Sequence, residues 1–421
     1  FAATLGLLLL TPPLVRRLPA LPVKLHVALA GSLAAQLALA PLLLAHFNRL
    51  APAALVLNLA AVPLSAAVLL IGAVTALLPP SWPLLPALAG DLAWAAAHAL
   101  LRSADPVRWL PALDVRLPGP APWAVAGFAA GLALLARERW WRLGVAVTAI
   151  GLLALTHGRG RPRADGRLHV AVLDVGQGDA IVVRTPAGRV WVVDGGGAFD
   201  ARFDVGEAVV APYLWSLGVR RLEGVVLTHG HPDHAGGLPF LLRAFEVREF
   251  WDGPRPRKDG AYAPLDDALA GSAAVRRAVA RGVSADWDGV AVEVLGPRGG
   301  PRPWRTRNDD SLVVRLTFGN VAILLTGDVE SAGEAALSPG PAAILKVPHH
   351  GSRSSSTPQL LDRVRPGLAV VSVGRNSRFG HPHPEVLQRY RDRRIQVLRT
   401  DHHGTVTLSS DGASLAVRTW H

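Results

Sequence analysis

Three histidines and an aspartate fall within the six residues His229-Gly230-His231-Pro232-Asp233-His234. Neutral imidazole suits Zn or Mn, and a carboxylate adds the charge that holds a dication. His229 and His231, two positions apart, can face one ion, while Asp233 and His234 can turn to a second. A dication held this way activates water for attack on a polarised centre. The plain alternative is a polar, histidine-rich turn, which leaves the spacing unexplained. Cys is absent, so disulfides and thiolate ligands are excluded and the redox compartment is undetermined.

The chain around this loop must hold it still. The apolar run Val225-Val226-Leu227 precedes it and Ala235-Gly236-Gly237 follows, the pattern of a loop between a strand and a helix. Strands are predicted at 169–174, 180–185, 190–194, 224–228, 290–295, 312–318, 321–326, 342–347, 368–373 and 395–399. Helices are predicted at 205–217, 236–244, 264–280, 330–336, 357–363 and 384–392. Strands close in sequence, followed by strand–helix alternation, argue for a sandwich of sheets covered by helices. Asp194 and Asp328 each end an apolar strand, which places a carboxylate at a strand tip, and His349 and His350 end another in the same way.

The first third has a different texture. Apolar runs cover 23–47, 50–78, 83–101, 122–136 and 143–156, with a partial run at 1–15, and two of them exceed the roughly 20 residues needed to span a bilayer. Buried helices of a soluble domain are the alternative, but charges are too few here to give such helices a wet face. Asn58 and Pro63 read equally as a broken helix lining a path or as a tolerated kink. Asp91 and His98 could line a polar path, although an N-cap role for Asp91 is as good a reading. Basic residues divide too evenly among the loops for the positive-inside rule to orient the region.

The net charge of +12 resembles a nucleic-acid signal until it is divided. Residues 1–156 and 157–421 each carry +6, and the basic stretch 157–167 accounts for +3 of the latter. Charge is compatible with a polyanionic substrate without demonstrating one. The chain starts at Phe1 and has no Met, which reads as a piece of a longer protein.

Beyond the histidine loop, LDVGQGDAIVVRTPAGRVWVVDGGG, NDDSLVVRL, LLTGDVE, LKVPHHGSRSSST and VGRNSRFGHPHPEVL resemble the hydrolase domain of the ComEC family of competence DNA-uptake channels, within the metallo-β-lactamase superfamily. NLAAVPLS resembles that family's transmembrane core, so the resemblance covers nearly the whole chain. It implies a polytopic α-helical membrane region (1–156), a basic linker (157–167) and an αββα metallo-β-lactamase domain (168–421).

The resemblance also implies roles. Asp328 would bridge two metals, and one of His349 and His350 would complete the second; the sequence does not choose between them, with His349 the first choice. Asp194 would orient the histidine loop. The superfamily's usual further histidine is missing, because residues 235–327 contain no His. Water, Asn308, Asp309 or Asp310 could fill that gap, which leaves one or two divalent ions, Zn or Mn. Gln177, Asp179, His381 and His383 are expected at the cleft rim, with His381 protonating a leaving group or holding a phosphate. Ser352, Arg353, Ser354 and Ser355 form a candidate anion-binding loop, and His402 and His403 read as turn residues.

The function implied is DNA internalisation in natural transformation. Single-stranded DNA would pass a channel in the bacterial inner membrane, and the metal domain, on the outer face, would cut duplex DNA and degrade the strand not imported. Lipid and other competence machinery would be its partners. Two rivals are a membrane-tethered hydrolase of another phosphoester or lactam, and a channel whose metal domain only binds DNA.

Overall fold

The computed structural model describes residues 1–79, 84–110, 113–157, 162–197, 203–255, 260–299, 308–375 and 377–420. The chain divides into two compact units, Phe1–Gly160 and Arg161–His421. Positions 158–161 of the expected linker lie outside the described residues.

In the first unit the apolar runs become helices α1 (Ala2–Val15), α2 (Leu25–Phe47), α3 (Ala54–Leu77), α4 (Leu84–Arg102), α5 (Pro122–Leu135) and α6 (Trp141–His157). Among the described residues, four helical segments are long and apolar enough to cross a membrane, by length and composition. Neither α3 nor α4 has a buried residue, so their apolar faces require lipid or further helices. By contrast, α5 and α6 pack tightly through small residues. A Cβ on Gly131 would lie 2.6 Å from the Thr148 nitrogen, and one on Gly151 would lie 2.7 Å from Phe128 Cα. Between the helices, β1 (Arg49–Leu50) pairs with β2 (Val115–Arg116), and Arg49 donates to both Asp114 oxygens at 2.6 and 2.8 Å.

Pro63 is accommodated inside the continuous helix α3, and Asn58 Nδ2 donates to Ser32 Oγ at 3.0 Å. Asp91 lies in the interior of α4, so the N-cap reading is corrected: the helix starts seven residues earlier, at Leu84. Expressed separately, residues 1–156 are expected to stay with membranes through carbonate extraction, and 160–421 to be released. Recovery of 1–156 as a folded monomer in the soluble fraction would overturn this division.

The second unit is built on two sheets. Its strands are β3 (Leu168–Val172), β4 (Ile181–Arg184), β5 (Val190–Val193), β6 (Arg221–Leu227), β7 (Glu246–Asp252), β8 (Val275–Ala278), β9 (Ser284–Trp287) and β10 (Val290–Gly296), then β11 (Val313–Phe318), β12 (Val321–Leu325), β13 (Ile344–Lys346), β14 (Leu368–Val371), β15 (Gln396–Arg399), β16 (Thr405–Ser410) and β17 (Leu415–Trp420). Among the described residues, one sheet runs β17-β16-β3-β4-β5-β6-β7-β8 and the other β15-β14-β13-β12-β11-β10-β9. Period-two patterning explains the sandwich: Val170, Val172, Ile181 and Val183 face Val292, Val294, Val314 and Leu316 in one core. Trp191 stacks on Trp287 with centroids 3.9 Å apart. The outer faces are covered by helices, α7 (Ala211–Ser216), α9 (Leu238–Ala244) and α10 (Ala263–Ala270) on one side, α12 (Pro358–Val364) and α13 (Pro384–Asp392) on the other. This is the expected αββα arrangement.

Three details correct the sequence reading. The helix expected at 264–280 stops at Ala270, and Val275–Ala278 is an edge strand parallel to β7. Strands β7, β9, β16 and β17 were not anticipated either. His402 and His403 end a one-turn helix, α14 (Thr400–His403), rather than lying in a β-turn.

Candidate metal centre

The site lies where β5, β6, β12 and β13 end, at the carboxyl ends of adjacent strands where open α/β sheets commonly bind ligands. Pro232 opens the short helix α8 (Pro232–Ala235), so Asp233 and His234 stand on a first helical turn, not on a free loop. Asp194, φ +60°, receives the Thr228 N–H and the Thr228 hydroxyl, each at 2.7 Å. Gly327, φ +52°, turns the chain so that Asp328 enters the site, and the Asp328 N–H donates to Ser311 Oγ at 3.1 Å. His349 and His350 both have positive φ, a conformation that costs non-glycine residues about 1–3 kcal/mol and so needs the surrounding fold to impose it.

Hydrogen bonds behind the rings decide which nitrogen each histidine offers. His234 Nδ1 lies 2.8 Å from Asp194 Oδ2, and His350 Nδ1 lies 2.9 Å from the Ser372 carbonyl oxygen. Both partners only accept, so Nδ1 carries the proton and Nε2 presents a lone pair. His229 Nδ1 lies 3.1 Å from the Thr228 hydroxyl and 3.3 Å from the Ser311 hydroxyl. The Nε2 atoms converge on acid: Asp328 Oδ2 is 3.1 Å from His234 Nε2, 3.5 Å from His350 Nε2 and 3.9 Å from His229 Nε2. A lone pair facing a carboxylate requires a cation between them, either a proton or a metal.

Asp233, His234, Asp328 and His350 each offer a ligand atom within 4.8 Å of the others. His234 Nε2, His350 Nε2 and Asp328 Oδ1 are buried without hydrogen-bond partners. The donor set therefore fits a divalent cation. Without one, protons take its place. Burial opposes charge on His234 and His350, yet Asp328 outweighs it, lifting His234 well above the usual imidazole range and His350 to about 9. Burial likewise works against the Asp233 carboxylate, but His350 and His234 hold it well below the usual range.

The remaining expected residues separate clearly. His350, not His349, joins the four-residue cluster; His349 stands at the edge, Nε2 3.8 Å from Asp328 and Nδ1 3.1 Å from Glu330. His231 Nδ1 faces His229 Nε2 at 3.1 Å. A cavity of about 300 Å³ is lined by His231, Asp233, Asp328, His349 and His350, together with Gln177, Asn308, Phe379 and His381. Burial and the neighbouring imidazoles hold His381 down to about 4, so near neutrality it is an uncharged hydrogen-bonding group and a poor proton donor to a leaving group.

Asp179 is not at the rim. It is buried behind His350, its Oδ2 receiving Lys346 Nζ at 2.7 Å, and its Oδ1 lies 3.5 Å from His350 Nδ1. His383 accepts from the Glu385 N–H at the start of α13 and does not line the cavity. In the stretch 352–355, expected to bind an anion, the side chains bond one another and their neighbours. Ser352 meets Ser354, Ser354 donates to Glu330, Ser355 donates to the Pro348 and Ser352 carbonyls, and Arg353 pairs with Glu385. Buried Glu334 anchors the same loop by accepting from the Thr357 N–H and hydroxyl at 2.8 and 2.5 Å. Lys346 and Glu334 are not among the site residues expected from sequence; a lysine inside an apolar strand is the signal that could have found the first.

A Cβ on Gly230 would lie 2.5 Å from Tyr262 Cε2, so this ring closes the flank of the His229–His231 loop. Arg255 lies 4.4 Å over the Tyr262 ring and, with Arg276, pairs with buried Asp252. Asp309 accepts from the Glu330 and Gly333 N–H groups, whereas Asp310 lines a small cavity with His229. A metal on His229 and His231 thus lacks a third imidazole. Losing a ligand should weaken binding by more than losing a supporting partner, itself about 10–100-fold. Metal titration of the stripped protein is expected to show one tight and one weak step, with activity rising through the second. Two equally tight ions retained through dialysis would show that another residue replaces the histidine, with Asn308, Asp309, Asp310 and His383 the first to mutate.

Comparison with known proteins agrees with this geometry. Residues 173–375 match the metallo-beta-lactamase superfamily and residues 1–142 the competence protein family. ComE operon protein 3 of Bacillus subtilis (strain 168) is 30% identical over 409 residues, 89% of this chain and 50% of its own length. Competence protein ComA of Neisseria gonorrhoeae is 33% identical over 298 residues, 68% of this chain and 38% of its own. The chain thus spans about half the length, or less, of these relatives. Among solved structures, the metallo-beta-lactamase fold protein YhfI from Bacillus subtilis aligns with a TM-score of 0.37 at 12% identity, covering 55% of this chain and 95% of that one. The fold supports a metal-dependent hydrolase, and the apolar helices fit a membrane protein. The chain accordingly joins a segment of the competence protein family, residues 1–142, to a domain of the metallo-β-lactamase superfamily, residues 173–375.

Proposed function

We propose that the chain acts in DNA uptake and that its metal centre cleaves DNA phosphodiesters, degrading the strand that is not imported. The observation that carries this reading is the set Asp233, His234, Asp328 and His350, three of them buried, beside an open cavity that Asp233, Asp328 and His350 help to line, in one chain with a competence segment. These four residues would hold one divalent ion, Zn or Mn; His229, His231 and Asp328 would hold a second. Bound there, such an ion would supply Lewis acidity, lowering the pKa of water and offsetting phosphate charge.

The chain's own residues do the rest. Asp194 and the Ser372 carbonyl keep His234 and His350 aimed inward, and Lys346 holds Asp179 behind His350. His381 and Gln177, on the cavity wall, offer hydrogen bonds to non-bridging oxygens of a diester. The membrane helices would sit in the bacterial inner membrane with the hydrolase domain on its outer face, handing a single strand to the channel.

Purified full chain in detergent, supplied with Mn²⁺ or Zn²⁺, tests this against DNA, a phosphocholine ester and a β-lactam. Metal-dependent cleavage of DNA alone supports the reading. Turnover of a small ester or lactam alone would replace it with a tethered hydrolase. The absent third histidine favours a second possibility, a domain that binds DNA without cutting it, and metal-loaded protein that binds DNA with no cleavage would establish it.

A further inference from the structure

We propose that Phe379, flanked by Arg378 and His381, is a stacking platform for an unpaired nucleobase at the mouth of the metal cavity, so that the centre acts on single-stranded or locally opened nucleic acid. This rests on the nuclease reading above and narrows its substrate.

Apart from Pro232 and Phe379, the residues that line the cavity carry histidine, carboxylate or amide side chains. Asp233, Asp328 and the imidazoles suit cations and the phosphate they would bind, but none offers a flat apolar surface. Phe379 does. It is 49% exposed, in the segment between β14 and α13, although it borders the same cavity as Asp328 and His350. Phe203 and Trp420 of the same unit are also exposed, but of the three it is Phe379 that lines the metal cavity.

Its neighbours add to the case. The His381 ring lies near-parallel to it, centroids 5.8 Å apart with 29° between planes, which extends the flat surface toward the metal-ligand side. The Arg378 guanidinium sits 5.3 Å from the ring centroid and is itself exposed. Aromatic rings paired with arginine are the elements that bind single strands without reading sequence, because every base has a π-face while the cation attracts the backbone.

The geometry also selects against duplex. Inside a double helix both faces of each base are covered by neighbours, so a base reaches a protein ring only when flipped, frayed or unpaired. Small phosphoesters and lactams without a planar base gain nothing from the ring, which gives the site a means of preferring a nucleotide chain.

The test measures affinity separately from turnover. Full chain in detergent with EDTA is titrated against a fluorescent single-stranded DNA oligonucleotide and against the same oligonucleotide carrying abasic residues, followed by anisotropy. The base-bearing strand should bind about 5- to 100-fold more tightly, the range that one stacked base contributes. Phe379→Leu, which keeps apolar bulk but loses the π-face, should bring that ratio close to one and leave the abasic affinity unchanged. Phe379→Trp should retain it. Because Phe379 is exposed, its replacement leaves the cores intact, which circular dichroism verifies. A ratio unchanged in Phe379→Leu, no preference in the parent chain, or equal loss for both oligonucleotides would each overturn the proposal. If the preference holds but metal-loaded protein cuts no DNA, the nuclease reading fails and the stacking platform stands.

Discussion

Replacing Asp233 with alanine is expected to lower hydrolysis by about 10³-fold or more while the domain stays folded. The carboxylate is one of four groups converging within 4.8 Å, and a cation at such a site is worth several kcal/mol of transition-state stabilisation, about a factor of ten for each 1.4 kcal/mol. The fold should survive because Asp233 contributes to it mainly through its backbone. Its carbonyl accepts from the Asp179 N–H at 3.2 Å, a bond alanine keeps, and alanine suits the first turn of α8. Steady-state rates with added Mn²⁺ or Zn²⁺, alongside circular dichroism, check both halves. Turnover at the parental level would remove Asp233 from the site.

Lys346→Met is expected to destabilise the hydrolase domain by about 3–5 kcal/mol, the cost of leaving one member of a buried ion pair uncompensated. Lys346 and Asp179 are each 1% exposed and meet at 2.7 Å. Methionine fills most of the lysine volume, so the penalty comes from the stranded Asp179 charge rather than from a cavity. Adding Asp179→Asn should recover much of the loss, since a neutral amide is far cheaper to bury. Urea denaturation followed by tryptophan fluorescence reads both variants, as Trp191, Trp251 and Trp287 all lie in the core between the sheets. A double variant no more stable than Lys346→Met would show that the pair is not the origin of the effect.

How much of this was legible follows the range of the interactions involved. The histidine loop was readable because its chemistry is local: strand β6, a two-residue histidine spacing and Pro232 at a helix start all lie within one short segment. The strand-tip carboxylates Asp194 and Asp328 were readable for the same reason, since an apolar run followed by Asp and glycine marks where a strand ends. Period-two patterning made the paired sheets legible, and long apolar runs marked the helices of the first unit.

What sequence left open depends on partners far along the chain. His349 and His350 are the same residue type at adjacent positions. Only the backbone turn at both, and the Ser372 carbonyl 22 residues away, sends His350 inward and leaves His349 at the edge. Ser352 to Ser355 have the composition of an anion-binding loop, but the Ser354 hydroxyl donates to Glu330 and the Ser355 hydroxyl to the Pro348 carbonyl. The strand Val275–Ala278 is exposed at every position, so no burial pattern marked it, and its pairing with β7 alone makes it a strand. Residue types and local spacing therefore determined which groups could hold a metal. Tertiary structure decided which of them converge, because the direction of a side chain at a strand tip is set by hydrogen bonds and packing that no local window contains.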